Sequence, residues 1–211
     1  MPSEDDRDRA LRRIVEYTEA MGNSIAGEAE GQTDDGRPLS GYRVQQGNHT
    51  LVVATVPGWE YFTVLYQYDV AKSVAVRRAV GEQAPSGGGE VQIELDQAGV
   101  EAAADDLRAH VGDADLAALR MEFIQSVSSV APQAGIDIDV DGSLIRGFKL
   151  QTKLFPYREG FDVADYADRV QETVTAGWVA KEFLVDAYDL GELVDAEFAT
   201  GSSDGEPAMF Q

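Results

Sequence analysis

The chain contains no cysteine. Disulfide staples, thiolate nucleophiles and cysteine-ligated metal sites are therefore excluded. Lysine is almost as scarce: Lys72, Lys149, Lys153 and Lys181 stand among 17 cationic side chains, and the rest are arginine. Histidine occurs only as His49 and His110. No apolar run reaches the roughly 18 residues of a membrane-spanning helix. The basic pairs Arg12-Arg13 and Arg77-Arg78 are isolated, whereas nucleic-acid phosphates are held by clustered Lys and Arg. Direct nucleic-acid binding is not expected. The opening residues, Met1-Pro2-Ser3-Glu4-Asp5-Asp6, lack the apolar core of a secretory signal. A cytoplasmic protein without a membrane span is the expectation.

What the chain has in excess is acid. Thirty-eight Asp and Glu residues give a net charge of −21 over 211 residues. Such a surface repels itself in dilute buffer. At molar salt the Debye length is about 3 Å, and the repulsion is screened. Carboxylates stay hydrated where salt competes for water, while lysine stems add apolar surface. Acid-rich, lysine-poor, cysteine-free composition resembles the cytoplasmic proteins of salt-in haloarchaea, and a halophilic archaeal protein is expected. Hydrophobic residues make up 44% and fall in periodic segments, so the chain folds rather than staying disordered.

Ser3 reads as the cap of a first helix, followed by acids and by Leu11, Ile14, Val15 and Thr18 at helical spacing. Residues 24–69 read as strands separated by turn residues at Asp35-Gly36, Gly47-Asn48 and Pro57-Gly58, which suggests an antiparallel meander. Residues 70–80 are ambiguous, with Val74, Val76 and Val80 favouring strand. Residues 82–90 read as a flexible loop, and residues 91–95 alternate again. Residues 101–130 are helical, with a break expected at Gly112. Asp141-Gly142 signals a hairpin whose returning strand runs from Leu144 to Phe155. Residues 161–188 form a long amphipathic helix. The expected class is α+β: an antiparallel meander sheet with an N-terminal helix, a long central helix or helix pair, and a C-terminal amphipathic helix. Residues 1–192 are expected to form one domain, with residues 193–211 an acidic, fraying tail.

Few motifs offer chemistry. Asp137-x-Asp139-x-Asp141-Gly142 matches the start of a calcium loop, but the position that needs a bidentate Glu is Phe148, and the flanks read as strands. The run reads instead as the wet face of a strand entering a turn. His49 and His110 lack metal-ligand spacing and a nucleophile elbow, and read as surface residues. Ser86-Gly87-Gly88-Gly89 is followed by no Gly-Lys-Ser/Thr. No metal, cofactor or catalytic set is expected, and the chain is read as a non-enzyme.

Aromatic residues concentrate in two places. Trp59, Tyr61, Phe62, Tyr66 and Tyr68 lie within ten positions; Phe148, Phe155, Tyr157, Phe161, Tyr166 and Trp178 form the second group. Alternation puts Tyr61, Thr63, Leu65 and Gln67 on one face, and Phe62, Val64, Tyr66 and Tyr68 on the other. One face can pack on helices while the other meets a partner. The candidate protein-binding surface is Trp59, Tyr61, Phe62, Tyr66, Tyr68, Phe155 and Tyr157.

This order of elements, with the stretches Thr50–Tyr68 and Gly147–Trp178, resembles the type III secretion chaperone-like fold and the YbjN-like proteins, over about residues 5 to 190. The resemblance implies a non-enzymatic protein that dimerises and holds another polypeptide along its sheet or helix grooves. The expected function is a non-catalytic, chaperone-like protein-binding module. Two alternatives stand beside it: a small-ligand or metal-dependent enzyme using carboxylates and a histidine, and a structural or assembly protein.

Overall fold

The computed structural model describes residues 2–33, 35–83, 96–112 and 115–191. Helix α1 (Glu4–Ala20) starts at a reciprocal cap. The Ser3 hydroxyl accepts from the Asp6 N–H, and the Asp6 carboxylate accepts from the Ser3 N–H. Ala10, Ile14 and Thr18 face inward. The chain then turns at Gly22, whose φ of 75° favours a residue without a side chain.

Strands β1 (Ser24–Gln32), β2 (Pro38–Gln46), β3 (His49–Thr55) and β4 (Phe62–Asp69) follow as the expected antiparallel meander. Strands β5 (Gly135–Asp141) and β6 (Leu144–Leu154) form the Asp-Gly hairpin, with Asp141 paired to Leu144 across the turn. Strand β6 also pairs with β4, so the six-stranded sheet has the order β1-β2-β3-β4-β6-β5. All its ladders are antiparallel. The protein is α+β.

Between the two strand groups lie helices α2 (Val70–Gln83), α3 (Gln97–Val111) and α4 (Leu116–Val130); α5 (Val163–Ala187) closes the described chain. Helix α2 overturns the preference for strand at residues 70–80. Strand propensity of valine is a weak preference that packing overrides. Val70, Ala71, Val74 and Ala75 form one buried helical stripe, and the Asp69 carboxylate accepts the Lys72 N–H in the first turn. On the far side of β4 the place of a next strand is taken by β6. The central pair does break at Gly112, φ 61°, and Asp96, Asp115 and Asp162 cap α3, α4 and α5. The strand expected at residues 91–95, the loop from 84 onward and the tail at 193–211 lie outside the described residues.

The main core joins all five helices to one face of the sheet. That face carries Leu51 and Val53 of β3, Phe62, Val64, Tyr66 and Tyr68 of β4, and Phe148, Leu150, Thr152 and Leu154 of β6. Helix α5 reaches it through Gly177. A Cβ at this position would stand 2.7 Å from the Tyr66 ring, so the absence of a side chain is what allows the contact. The buried hydroxyls near this seam are satisfied in pairs. Thr152 meets Thr173 at 2.7 Å, and Thr18 meets Tyr166 at 2.7 Å. Just beyond α5, the Tyr188 hydroxyl accepts from the Ile145 N–H (2.7 Å) and donates to the Ile145 carbonyl (3.2 Å).

Two predictions follow from this packing. In Gly177→Ala, the intrinsic helix gain of up to about 1 kcal/mol is outweighed by overpacking against Tyr66, for a net loss of about 1–3 kcal/mol. Urea unfolding measures it, and an unchanged or raised midpoint would show that the ring yields. The second concerns alkali. Burial pushes the Tyr188 hydroxyl up to about 12, against the Ile145 N–H, which favours the phenolate. The folded state therefore keeps a proton that the unfolded chain loses near pH 10. The contribution is complete below that pH and is lost as pH rises toward 12. Stability should fall across this window, and Tyr188→Phe should fall less steeply; parallel curves would remove Tyr188 as a cause.

Candidate functional site

The other face of the sheet is built from the alternate residues of the same strands. It carries Leu39 and Arg43 of β2, Val52 and Ala54 of β3, Thr63, Leu65 and Gln67 of β4, and Lys149, Gln151 and Lys153 of β6. Its small apolar cluster is Leu39, Ala54 and Val56 with Val52 and Trp59 against it, and among the described residues no helix side chain joins it. Between these groups lies a cavity of about 310 Å³, with Leu39, Val52, Trp59 and Leu65 in its walls and Arg37 and Gln151 also lining it.

One rim of the cavity is aromatic. After β3 the chain turns at Pro57-Gly58, with Gly58 at φ 87° and the Trp59 N–H donating to the Val56 carbonyl. This turn lays the Trp59 ring on Tyr61, with centroids 4.7 Å apart and planes 26° from parallel. Tyr61 leads on to Phe155 at 6.2 Å. Each ring carries a cation. Arg37 lies 5.4 Å from the Trp59 centroid, Lys153 Nζ 4.6 Å from Tyr61, and Arg158 4.4 Å from Phe155. Asp35 anchors Arg37 at 2.7 Å, and Arg37 together with Thr33 holds the Asp35 carboxyl below its ordinary range.

The candidate aromatic surface therefore divides. Trp59, Tyr61 and Phe155, each half-buried, form the ladder on the outer face. Phe62, Tyr66 and Tyr68 do not belong to it: Phe62 is 0% exposed, and the other two are also buried. Strand alternation turns them toward the helices, and they are core. Tyr157 is half-buried beside Phe62, 6.0 Å away. It lines a separate polar depression of about 830 Å³ between α1 and residues 155–161, and burial raises its hydroxyl pKa. Arg37, Leu39, Val52, Leu65, Lys153 and Arg158 were not among the candidates. Parity was the available signal, since Lys153 alternates with Thr152 and Leu154 and so points away from the core.

The other singled-out residues are dispersed. Asp137 and Asp139 are exposed on β5, and Asp141 pairs with Arg108 beside the hairpin. His110 Nε2 lies 2.9 Å from the Tyr188 carbonyl, which only accepts, so that nitrogen carries the proton. His49 lies at the start of β3, with Nδ1 3.5 Å from the Tyr66 hydroxyl. Among the described residues, no group of three or more His, Asp or Glu is placed to hold a metal ion, and no helix is long and apolar enough to cross a membrane.

No protein-family profile matches the chain, and no curated protein does. Among solved structures, an uncharacterised protein from Methanothermobacter thermautotrophicus superposes with a TM-score of 0.54 at 9% identity, over 85% of this chain and 99% of that one. At this identity the likeness concerns the fold alone.

The division of the aromatics predicts unequal costs. Phe62→Ala should lose about 3–5 kcal/mol of stability, as for a buried ring. Trp59→Ala should lose only about 1–2 kcal/mol, from its stacking and its cation. Chemical unfolding of the two variants side by side makes the comparison, and equal losses would place Trp59 in the core.

Proposed function

We propose that the chain is a non-catalytic, chaperone-like module of a salt-rich cytoplasm, and that it holds an acidic polypeptide segment across the second face of its sheet. The observation that carries this reading is the Trp59–Tyr61–Phe155 ladder, capped by Arg37, Lys153 and Arg158 and set beside the 310 Å³ cavity. Aromatic rings with cations are the residue types that dominate protein interfaces. A cavity of this size takes one bulky aliphatic or aromatic side chain. Apolar contact of this kind is strengthened by excluded salts rather than screened.

Charge favours an acidic partner. The chain carries −21, yet Lys153 and Arg158 converge on this ladder beside Arg37, which Asp35 already pairs. A second copy docked face to face would set Lys153 and Arg158 on both sides of the contact, and like charges oppose such pairing. An acidic segment with one apolar anchor meets both features: its carboxylates face the cations, and its anchor enters the cavity.

The test uses Trp178→Phe protein, in which Trp59 is the remaining tryptophan; Trp178 is 51% exposed and expendable for folding. In molar KCl, a short Asp/Glu peptide with one central Phe should shift Trp59 emission saturably. Replacing the Phe by Ala, or the acids by amides, should weaken binding by about tenfold or more, roughly 1.4 kcal/mol, as should Leu65→Asp in the protein. Equal response to all peptides, or none, would overturn the reading. A dimer seen by light scattering and dissolved by Leu65→Asp would assign the face to a second copy instead.

A further inference from the structure

The depression of about 830 Å³ lies between α1 and residues 155–161, where the chain has left the end of β6. It is distinct from the outer cavity. Phe155 and Arg158 nevertheless belong both to its wall and to the aromatic ladder. A chain laid along Trp59, Tyr61 and Phe155 therefore runs on into it. From α1, Arg9 and Arg13 join the lining.

The charge of this lining departs from the rest of the surface. Arg9, Arg13 and Arg158 are balanced there by Asp6, Glu60 and Glu159, so the depression is neutral in a chain of net charge −21. Asp6 is engaged: its carboxylate accepts the Ser3 N–H at 3.1 Å and the Ser3 hydroxyl at 2.8 Å, and Arg9 lies 3.6 Å from it. Arg13 and Arg158 are exposed, and among the described residues neither enters an ion pair. At molar salt the field of a surface charge dies within about 3 Å. Pairing at contact range then decides what binds, and the overall −21 does not.

Spacing says what kind of chain can make those pairs. Successive ladder rings stand 4.7 and 6.2 Å apart, and an extended chain advances about 3.3 Å per residue, so the ladder takes up about three to four residues. Arg158, 4.4 Å from the Phe155 centroid, meets the residue at the end of that run. Arg9 and Arg13 are four residues apart on α1, one above the other on the helix surface and separated by about 6 Å along its axis. Alternate residues of an extended chain repeat at roughly 6.6 Å and point the same way. Two acids separated by one residue can therefore face Arg9 and Arg13 together, whereas adjacent acids point to opposite sides.

We propose that the binding surface continues from the ladder into this depression, and that its partner is an extended acidic segment with alternating carboxylates beyond its apolar anchor. Arg158 takes the first carboxylate, and Arg9 and Arg13 take the alternating pair. The inference rests on the ladder being a polypeptide site, and it specifies the segment that site accepts.

Peptides symmetric about a central Phe present the same pattern in either chain direction. In the first, a Glu stands four residues from the Phe on each side, with alternating Glu and Gln beyond it. A second replaces the outer Glu by Gln, and a third gathers the same outer Glu into an adjacent block. Binding is read from Trp59 emission in Trp178→Phe protein at molar KCl. The first peptide should bind several-fold tighter than the second, the range of two exposed ion pairs, and about twofold to threefold tighter than the third. Arg13→Gln should remove most of the difference between the first two, and Arg13→Lys, which keeps the charge, should recover it. If the first two peptides bind equally, or differ as much with Arg13→Gln as with the parent, the extension is overturned while the ladder reading stands. If no peptide binds, the ladder reading falls and takes the extension with it.

Discussion

The contact of α5 with β4 and β6 sets the spacing on which the helical layer is built. At Gly177 the helix backbone rests on the Tyr66 ring, closer than any side chain would permit. That approach lets Thr173 reach Thr152 at 2.7 Å and places Lys181 above Tyr68. It also leaves the end of α5 where Tyr188 can bond both backbone groups of Ile145. A glycine inside a helix ordinarily costs about 1 kcal/mol against alanine. Here the cost is offset by a seam whose polar groups are satisfied and whose rings are close-packed.

Local signals in the sequence were legible where the physics is local. The Ser3 cap, the Asp141-Gly142 hairpin, the Gly112 break and the meander turns each depend on a few neighbouring residues, and each stands in the structure. Alternation along Tyr61–Tyr68 separated two sets of side chains correctly. Which set faced the helices was not legible, because both sets contain aromatic and aliphatic residues; the decision belongs to α5, which lies far along the chain at Val163–Ala187. Residues 70–80 misled for a related reason. Their valines favour a strand only if a neighbouring strand is there to pair with, and β6, arriving from a distant hairpin, takes that place beside β4.

Acid on this surface is the default, so single carboxylates carry little information, while the placement of cations carries much. Asp137 and Asp139 face water on β5, in keeping with a wet strand face. The cations are less evenly spread. Lys153, Arg37 and Arg158 lie over aromatic rings, and Lys181 over Tyr68. A ring offers a cation an attraction that bulk salt does not easily replace, since part of the ion is desolvated against the π face. The same contact keeps the long apolar stem of lysine off the water.

Strand β4 lies between the core and the outer cavity, and its register decides which side chains serve each. Leu65 lines the outer cavity and Tyr66 the core, and the alternation that separates them has a period of two. A slip of one residue would send Leu65 into the core and Tyr66 onto the outer face. The ladder to β3 cannot by itself prevent such a slip, since it covers only four pairs. The ladder to β6 is twice as long and continues to Asp69–Gly147. At that last pair the strands approach so closely that a Cβ on Gly147 would lie 2.5 Å from the Tyr68 carbonyl oxygen. Only glycine fits there, and the fit pins β4 to β6. The β3 ladder can then end at Leu51–Tyr66 without loss of register in β4, and the outer face of the sheet stays ordered.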